Sequence, residues 1–446
     1  MRIKLHKGQS EVFKAIFLAR LQRHYVTVCA RGWGKTYLAA TAATKAVKEL
    51  CSMRTRVPNK DVRIICPTFD QAIDIYYPIL AYDMGMLPYS KGERTGRFKF
   101  ANNTRLTLTS YESVERMRGK GTYFAVNDEP SSWTKGMGFQ KAWEDIIEPT
   151  IMSRWSPMRA RQVGVTSAGK SLTIGTPNGY NFLYDMYNFG STDPTWKNFH
   201  YDYTTSPYLD PAEIELLKHR IDPLTFAREY LASFEESGAN VFYCFSRDKH
   251  ILPDVPYFKI TDEHKEDVHV CIDFNVGVQA SSMFALRSKK MYFLDETQGL
   301  PNTEELANYL VQKFPGHRII AYPDPTGNSR KTSATIGVTD FAILKDKGIR
   351  VCARSASPPI IDSVNAVNSR LLTQAGDISM FFCAKRCKRT IKSLERTSWL
   401  ENNPNLAVID KSEGVEHFSD GVRYATEYLF PVRFNRVIVS RQTNDF

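Results

Sequence analysis

Apolar stretches of strand length recur along the chain, and several end on polar residues of the same few kinds. Residues 25–29 (Tyr-Val-Thr-Val-Cys) predict a strand, and the Ala-rich residues 37–48 predict a helix behind it. Another helix is predicted over 10–23. Residues 62–68 read as a short buried strand closed by proline, and a helix follows over 69–84. Residues 97–109 alternate in character around Asn102-Asn103 and predict a hairpin. Two more apolar strands are expected at 122–129 and 171–175, the second running into Thr176-Pro177. Residues 193–233, rich in Tyr and Phe, read as loop and helix closing this half. Strands at 269–274, 291–294 and 318–324 follow, with a Ser288-Lys289-Lys290 turn and a helix over 303–314. His417 to Gly421 opens a last helix over 422–430.

The junction between the first strand and its helix carries chemistry. Cys29-Ala30-Arg31-Gly32-Trp33-Gly34-Lys35-Thr36 is strand, tight loop, Gly-Lys-Thr and helix, the context of a phosphate-binding loop. Backbone amides and the helix N-terminus would face the phosphates. Lys35 would reach the β- and γ-phosphates of ATP, and Thr36 would offer its hydroxyl to Mg²⁺. Gly32 and Gly34 allow backbone to approach the ligand. Cys29 stands where the usual pattern has its first glycine. Arg31 is a candidate for stabilising the transition state. Gln9, just ahead of this loop, has an amide able to read adenine.

Asp128 and Glu129 end an apolar strand, the arrangement in which one acid holds Mg²⁺ and the next polarises the attacking water. Thr176 ends another strand and, in a parallel sheet, faces the same crevice. It is therefore a candidate coupling residue. Arg116, Arg118 and Lys120 form a basic cluster that reads either as a phosphate sensor or as a solvated loop. In the second half, Asp273 lies inside an apolar strand, where a lone carboxylate is costly unless paired or metal-bound. Asp295-Glu296 and Asp324 end the next two predicted strands, and Asp420 opens the last helix. Strand acid, hairpin, strand acid and late helix acid match an RNase H-like nuclease plan. There, carboxylates converge on two divalent metals, and oxygen-only ligation favours Mg²⁺ or Mn²⁺.

Composition adds a partner. Of 446 residues, 42% are apolar, which excludes a disordered chain and suggests about two or three domains. Net charge is +11, which favours a polyanion such as nucleic acid. The eight cysteines are scattered, several within apolar runs, and no signal peptide precedes them; buried free thiols in a reducing compartment are expected. Cys383 and Cys387 fall in a helix-like stretch, one turn apart, without a second pair for zinc. No run is long and apolar enough to span a membrane.

Taken in order, Arg-Gly-x-Gly-Lys-Thr, a strand ending Asp-Glu, Thr-x-Gly-Thr-Pro and a downstream set of aspartates resemble the large terminase subunit of tailed double-stranded DNA phages. Herpesvirus packaging ATPases share the plan. The resemblance covers nearly the whole chain. It implies an α/β fold, with a RecA-like P-loop ATPase domain followed by an RNase H-like nuclease domain. It also implies an ATP site of Gln9, Arg31, Gly32, Trp33, Gly34, Lys35, Thr36 and Asp128, with Glu129 as base and Thr176 as coupler. Asp273, Asp324 and Asp420 would hold two Mg²⁺ or Mn²⁺ ions, with Glu296 a further acid. The implied partners are double-stranded DNA, a portal protein, a small terminase subunit and other copies in a ring on the procapsid, in the host cell cytoplasm. The polar Glu235-Glu236-Ser237-Gly238 suggests a motor domain over 1–236, a linker over 237–250, a nuclease over 251–431 and a tail over 432–446. That tail, with Arg433, Arg436 and Arg441, reads as a docking segment or a disordered end. A helicase-nuclease of repair would need further helicase motifs in a second RecA-like lobe. A non-catalytic nucleic-acid scaffold would leave the acids structural and would show no basal ATPase activity.

Overall fold

A computed structural model describes residues 4–53, 60–85, 95–133, 136–162, 168–235, 238–260, 265–274, 279–328, 339–400, 408–412 and 414–432. It divides into two compact units. One comprises the residues up to 211 with 227–235, and the other comprises 212–226 and the residues from 238 to 432. Both are α/β, as the motifs implied. Arg433, Arg436 and Arg441 lie outside the described residues.

The first unit is built on seven strands: β1 (His24–Cys29), β2 (Asp61–Cys66), β3 (Arg97–Lys99), β4 (Arg105–Ser110), β5 (Phe124–Asp128), β6 (Lys170–Gly175) and β7 (Trp196–Tyr201). Their order is β3-β4-β2-β5-β6-β1-β7. All pairs are parallel except the β3–β4 edge hairpin, which turns through left-handed Asn102 and Asn103. β1, β2, β5 and β6 are buried along their whole length, as the continuous apolar runs required. The helix Lys35–Ser52 buries Ala39, Ala40, Ala42, Ala43 and Ala46, small side chains that allow close packing on the sheet. One strand, β6, separates the loop-bearing β1 from the Asp-Glu strand β5, the RecA-like order.

Three local expectations differ from the structure. The first helix is Lys7–Leu18, displaced toward the N-terminus because His6 and Gln9 cap it reciprocally. Residues 69–83 are helical, with wide π-type turns at Ala72–Tyr76 and Ile79–Asp83 on either side of the ladder break at Pro78. The stretch read as loop and helix after residue 193 contains strand β7, an edge strand with an incompletely alternating burial pattern. Its segment 212–226 groups with the second unit, where Asp222 and Gln374 donate their amides to Ser369 and Ile221 at 3.2 and 2.8 Å.

The second unit has β8 (Ile251–Leu252), β9 (Val268–Asp273), β10 (Ala280–Arg287), β11 (Lys290–Gln298), β12 (Ile319–Pro323), β13 (Arg350–Val351) and β14 (Met380–Cys383). The order is β13-β12-β9-β10-β11-β14-β8. The meander β9-β10-β11 is antiparallel, whereas β12 joins β9 in parallel and β13 continues outward. That is the RNase H-like core, extended past β11 by β14 and β8. The helix His417–Leu429 packs on β9, and Gly421 permits this: a Cβ there would stand 3.3 Å from the Cys271 Cβ. Cys383 and Cys387 do not share a helix. Cys383 ends β14, and Cys387 immediately precedes the helix Lys388–Arg396.

Candidate functional site

In the first unit the strand register assembles the site. Val28 pairs with Gly175 across β1–β6, and Ile174 pairs with Asp128 across β6–β5. The residues just past these three strand ends therefore converge. Gly32 and Gly34 take the left-handed backbone their loop needs, at φ 76° and 96°. A Cβ on Gly34 would also stand 2.5 Å from the Gln9 amide nitrogen. Lys35, the first residue of its helix, places Nζ 2.7 Å from Glu129 Oε1 and donates a hydrogen bond to Thr176 Oγ1. The Thr176 amide donates to Glu129 Oε2 at 2.9 Å. Lys35, Glu129 and Thr176 are thus one bonded cluster.

Glu129 holds φ 46° and ψ 52°. For a residue with a Cβ this left-handed conformation costs on the order of 1–3 kcal/mol, and such strain concentrates at functional positions. Its amide is fixed by the Ile174 carbonyl at 2.9 Å. Burial pulls the Lys35 ammonium down, but the charge and hydrogen bond of Glu129, together with other nearby groups, outweigh it and hold the pKa above its ordinary value. Asp128 is buried. Desolvation and the neighbouring Glu129 charge, opposed by Lys35, push its carboxyl up to about 7. Burial lifts the Cys29 thiol to about 12, so this departure from glycine is an inert group at the end of a strand.

The other predicted residues divide. Gln9 donates its amide to the Gly34 carbonyl at 2.9 Å and accepts from the His6 amide at 3.1 Å, so it braces the loop. The Trp33 side chain is buried, stacked on Tyr201 at 4.7 Å and bonded to Thr205; it anchors the loop from behind, leaving only its backbone for a ligand. Arg31 pairs with Glu229 at 3.2 Å, with its side chain half-exposed. Thr36 is the second residue of the helix. Arg118 is bound to Glu115 and to the Asp145 carbonyl, at 2.5 and 3.2 Å.

In the second unit, Asp273 at the end of β9, Asp324 just past β12 and Asp420 on the last helix act on one another electrostatically. Burial, then the charge of Asp420, push the Asp273 carboxyl up to about 6; His417 opposes and Asp324 reinforces this. Asp273 and Asp420 are buried. Other side chains already occupy these acids. Arg423 bonds Asp420 Oδ1 at 2.6 Å, Lys411 pairs with Oδ2 at 3.1 Å, and His417 Nδ1 lies 3.0 Å from Asp273 Oδ2. The Tyr424 hydroxyl donates to Asp324 at 3.3 Å. The donor chemistry, carboxylates only, suits Mg²⁺ or Mn²⁺. As they stand, the Asp420 oxygens are taken by Arg423 and Lys411, and among the described residues no three His, Cys, Asp or Glu side chains are grouped to hold a metal ion. Lys411, His417 and Arg423 were not anticipated: Arg423 stands one helical turn after Asp420, a spacing open to the sequence, but no pattern links Lys411 to Asp420 or His417 to Asp273.

Glu296 is not brought to this cluster. It lies on β11, two strands from β9, and its carboxylate accepts the amides of Arg389 and Thr390, each at 2.9 Å. It serves as a non-local N-terminal cap of the helix Lys388–Arg396, a role that corrects its reading as a further metal acid.

No protein-family model matches the chain. The large terminase subunit of Escherichia phage T5 is 25% identical over 249 residues, 54% of this chain and 51% of the phage protein. The chain thus spans about half the length of that relative. The large terminase of a thermophilic bacteriophage superposes with a TM-score of 0.56 at 15% identity, covering 95% of this chain and 99% of that one. The same thermophilic terminase in complex with ATP-γ-S gives 0.57 at 14% identity over the same shares. The chain is therefore similar in sequence to one phage large terminase and has, along nearly its whole length, the fold of another.

Proposed function

We propose that this chain is a DNA-packaging motor with a built-in endonuclease, translocating double-stranded viral DNA into a procapsid by ATP hydrolysis and cutting concatemeric DNA. The observation that carries the reading is the Lys35–Glu129–Thr176 cluster at the ends of three neighbouring strands. In this reading Lys35 exchanges Glu129 for the β- and γ-phosphates of ATP. Glu129, freed and rigidly aimed by its strained backbone, accepts a proton from the attacking water. Thr176 touches both partners, so it registers the exchange and passes it on. Gln9 braces the loop through the Gly34 carbonyl and contacts adenine, and Arg31 neutralises charge in the transition state. Thr36 and Asp128 would hold Mg²⁺, which neutralises phosphate charge when bound.

Asp273, Asp324 and Asp420 would hold two Mg²⁺ or Mn²⁺ ions, which would supply Lewis-acid stabilisation of the charge that develops in phosphodiester cleavage. In this reading β9, β12 and the last helix carry the three acids, and Arg423 orients Asp420. The motor is assigned to 1–236, the linker to 237–250, the nuclease to 251–431 and the docking tail to 432–446. Portal protein, small terminase subunit and further copies in a ring are the proposed partners, in the host cell cytoplasm. The helicase-nuclease reading is disfavoured by the RNase H-like sheet standing where a second RecA-like lobe would be needed.

The test is ATP-dependent protection of linear duplex DNA against added nuclease by procapsids and purified chain. Protected DNA, together with ATP hydrolysis stimulated by duplex, is expected. Hydrolysis indifferent to duplex, with no protected DNA, would overturn the motor reading.

A further inference from the structure

The cations on the nuclease acids are not equivalent. Arg423 is buried, sits one turn from Asp420 on the same helix, and donates to Ser363 Oγ at 2.8 Å. It is part of the scaffold. Lys411 comes from a separate stretch, ahead of the helix. Its side chain is 61% exposed, while the Asp420 carboxylate it reaches is 3% exposed. One end of the pair is therefore fixed and buried, and the other is a flexible stem free to swing into water. The ammonium takes the Asp420 oxygen that Arg423 leaves open. A divalent ion shared by Asp273 and Asp420 would need that same oxygen and would be repelled by the ammonium.

We propose that Lys411 is a displaceable internal counter-ion of the nuclease site, holding Asp420 Oδ2 until a divalent metal ion competes it away. This rests on the nuclease reading above. It makes Lys411 a positioning residue that sets how much metal the site demands. The burial of Asp420 explains why a counter-ion is needed: a carboxylate out of water without a partner is costly, and Arg423 satisfies only one of its oxygens.

The experiment is calorimetric titration of the full chain with Mn²⁺ alone, without nucleotide, with Asp273→Asn as the background for the nuclease site. Lys411→Met keeps the apolar stem and removes the charge. It should bind Mn²⁺ about three- to tenfold more tightly than wild type, the scale expected for removing one half-exposed opposing cation. Lys411→Arg should restore wild-type affinity within about twofold, because the charge returns. Thermal unfolding in EDTA checks that all variants are folded. Unchanged or weaker Mn²⁺ binding by Lys411→Met overturns the proposal, and so does a Lys411→Arg that behaves like the Met variant. If Asp273→Asn binds Mn²⁺ as wild type does, the metal-site reading falls and the counter-ion role falls with it.

Discussion

Asp273→Asn should stabilise the metal-free protein while disabling it. The wild-type carboxyl titrates at about 6 in the fold, against an ordinary value of 3.8. At about 1.4 kcal/mol per unit, the fold disfavours the ionised form by about 3 kcal/mol. The sign follows from linkage. The folded pKa is raised, so the protonated form is favoured, and wild-type stability falls as pH climbs from about 4 through 6, then levels off. Asparagine carries no charge, and its oxygen can still accept from His417, now 3.0 Å from the carboxylate. The variant should therefore gain about 2–3 kcal/mol at pH 7.5 and close to nothing near pH 4. Thermal unfolding in EDTA across that range measures the gap, with hydrogen exchange on the peptide spanning β9 assigning the transition to the second unit. Adding Mn²⁺ should raise the wild-type midpoint and leave the variant unmoved. A variant less stable than wild type at pH 7.5, or a gap independent of pH, would refute the electrostatic account of this site.

Other changes read out single contacts. Thr176→Ala should keep ATP binding, measured by a fluorescent nucleotide, and lose packaging, because the hydroxyl that accepts from Lys35 and donates to Glu129 disappears; normal packaging would reduce Thr176 to a turn former. Glu296→Ala should lower stability by about 1 kcal/mol through loss of a helix cap, without changing Mn²⁺ affinity; weakened metal binding would return Glu296 to the metal set. Duplex affinity should fall by roughly tenfold or more between 50 and 200 mM salt as counterions are released; a flat response in a binding titration would remove the backbone-tracking channel.

What was legible in the sequence is what lies at strand ends. A parallel sheet aligns the C-terminal ends of its strands, so a Lys after β1, an Asp-Glu at the end of β5 and a Thr after β6 had to meet once the runs were recognised. The same logic found Asp273 and Asp324. Contacts between segments distant in sequence were not legible. Glu296 looked like another strand-end acid, yet its amide partners lie more than ninety residues away, and only the fold shows them. Lys411, a single lysine in a polar stretch, carries no pattern that points to Asp420. Strand β7 escaped because its inward positions, Trp196 and Phe199, are three apart, out of step with strict alternation. The Cys383/Cys387 spacing suggested a helical turn, but the chain passes there from a strand end into a helix start.

The central claim is two separate active sites on one chain, one around Lys35, Glu129 and Thr176 and one around Asp273, Asp324 and Asp420. The direct test assays ATP hydrolysis and Mn²⁺-dependent plasmid nicking side by side for wild type, Glu129→Gln and Asp273→Asn, all full-length. Glu129→Gln should bind ATP but lose hydrolysis by at least a hundredfold, because an amide cannot take the proton of the attacking water, while nicking stays near wild type. Asp273→Asn should show the reverse. Wild-type hydrolysis by Glu129→Gln, or wild-type nicking by Asp273→Asn, would contradict the account.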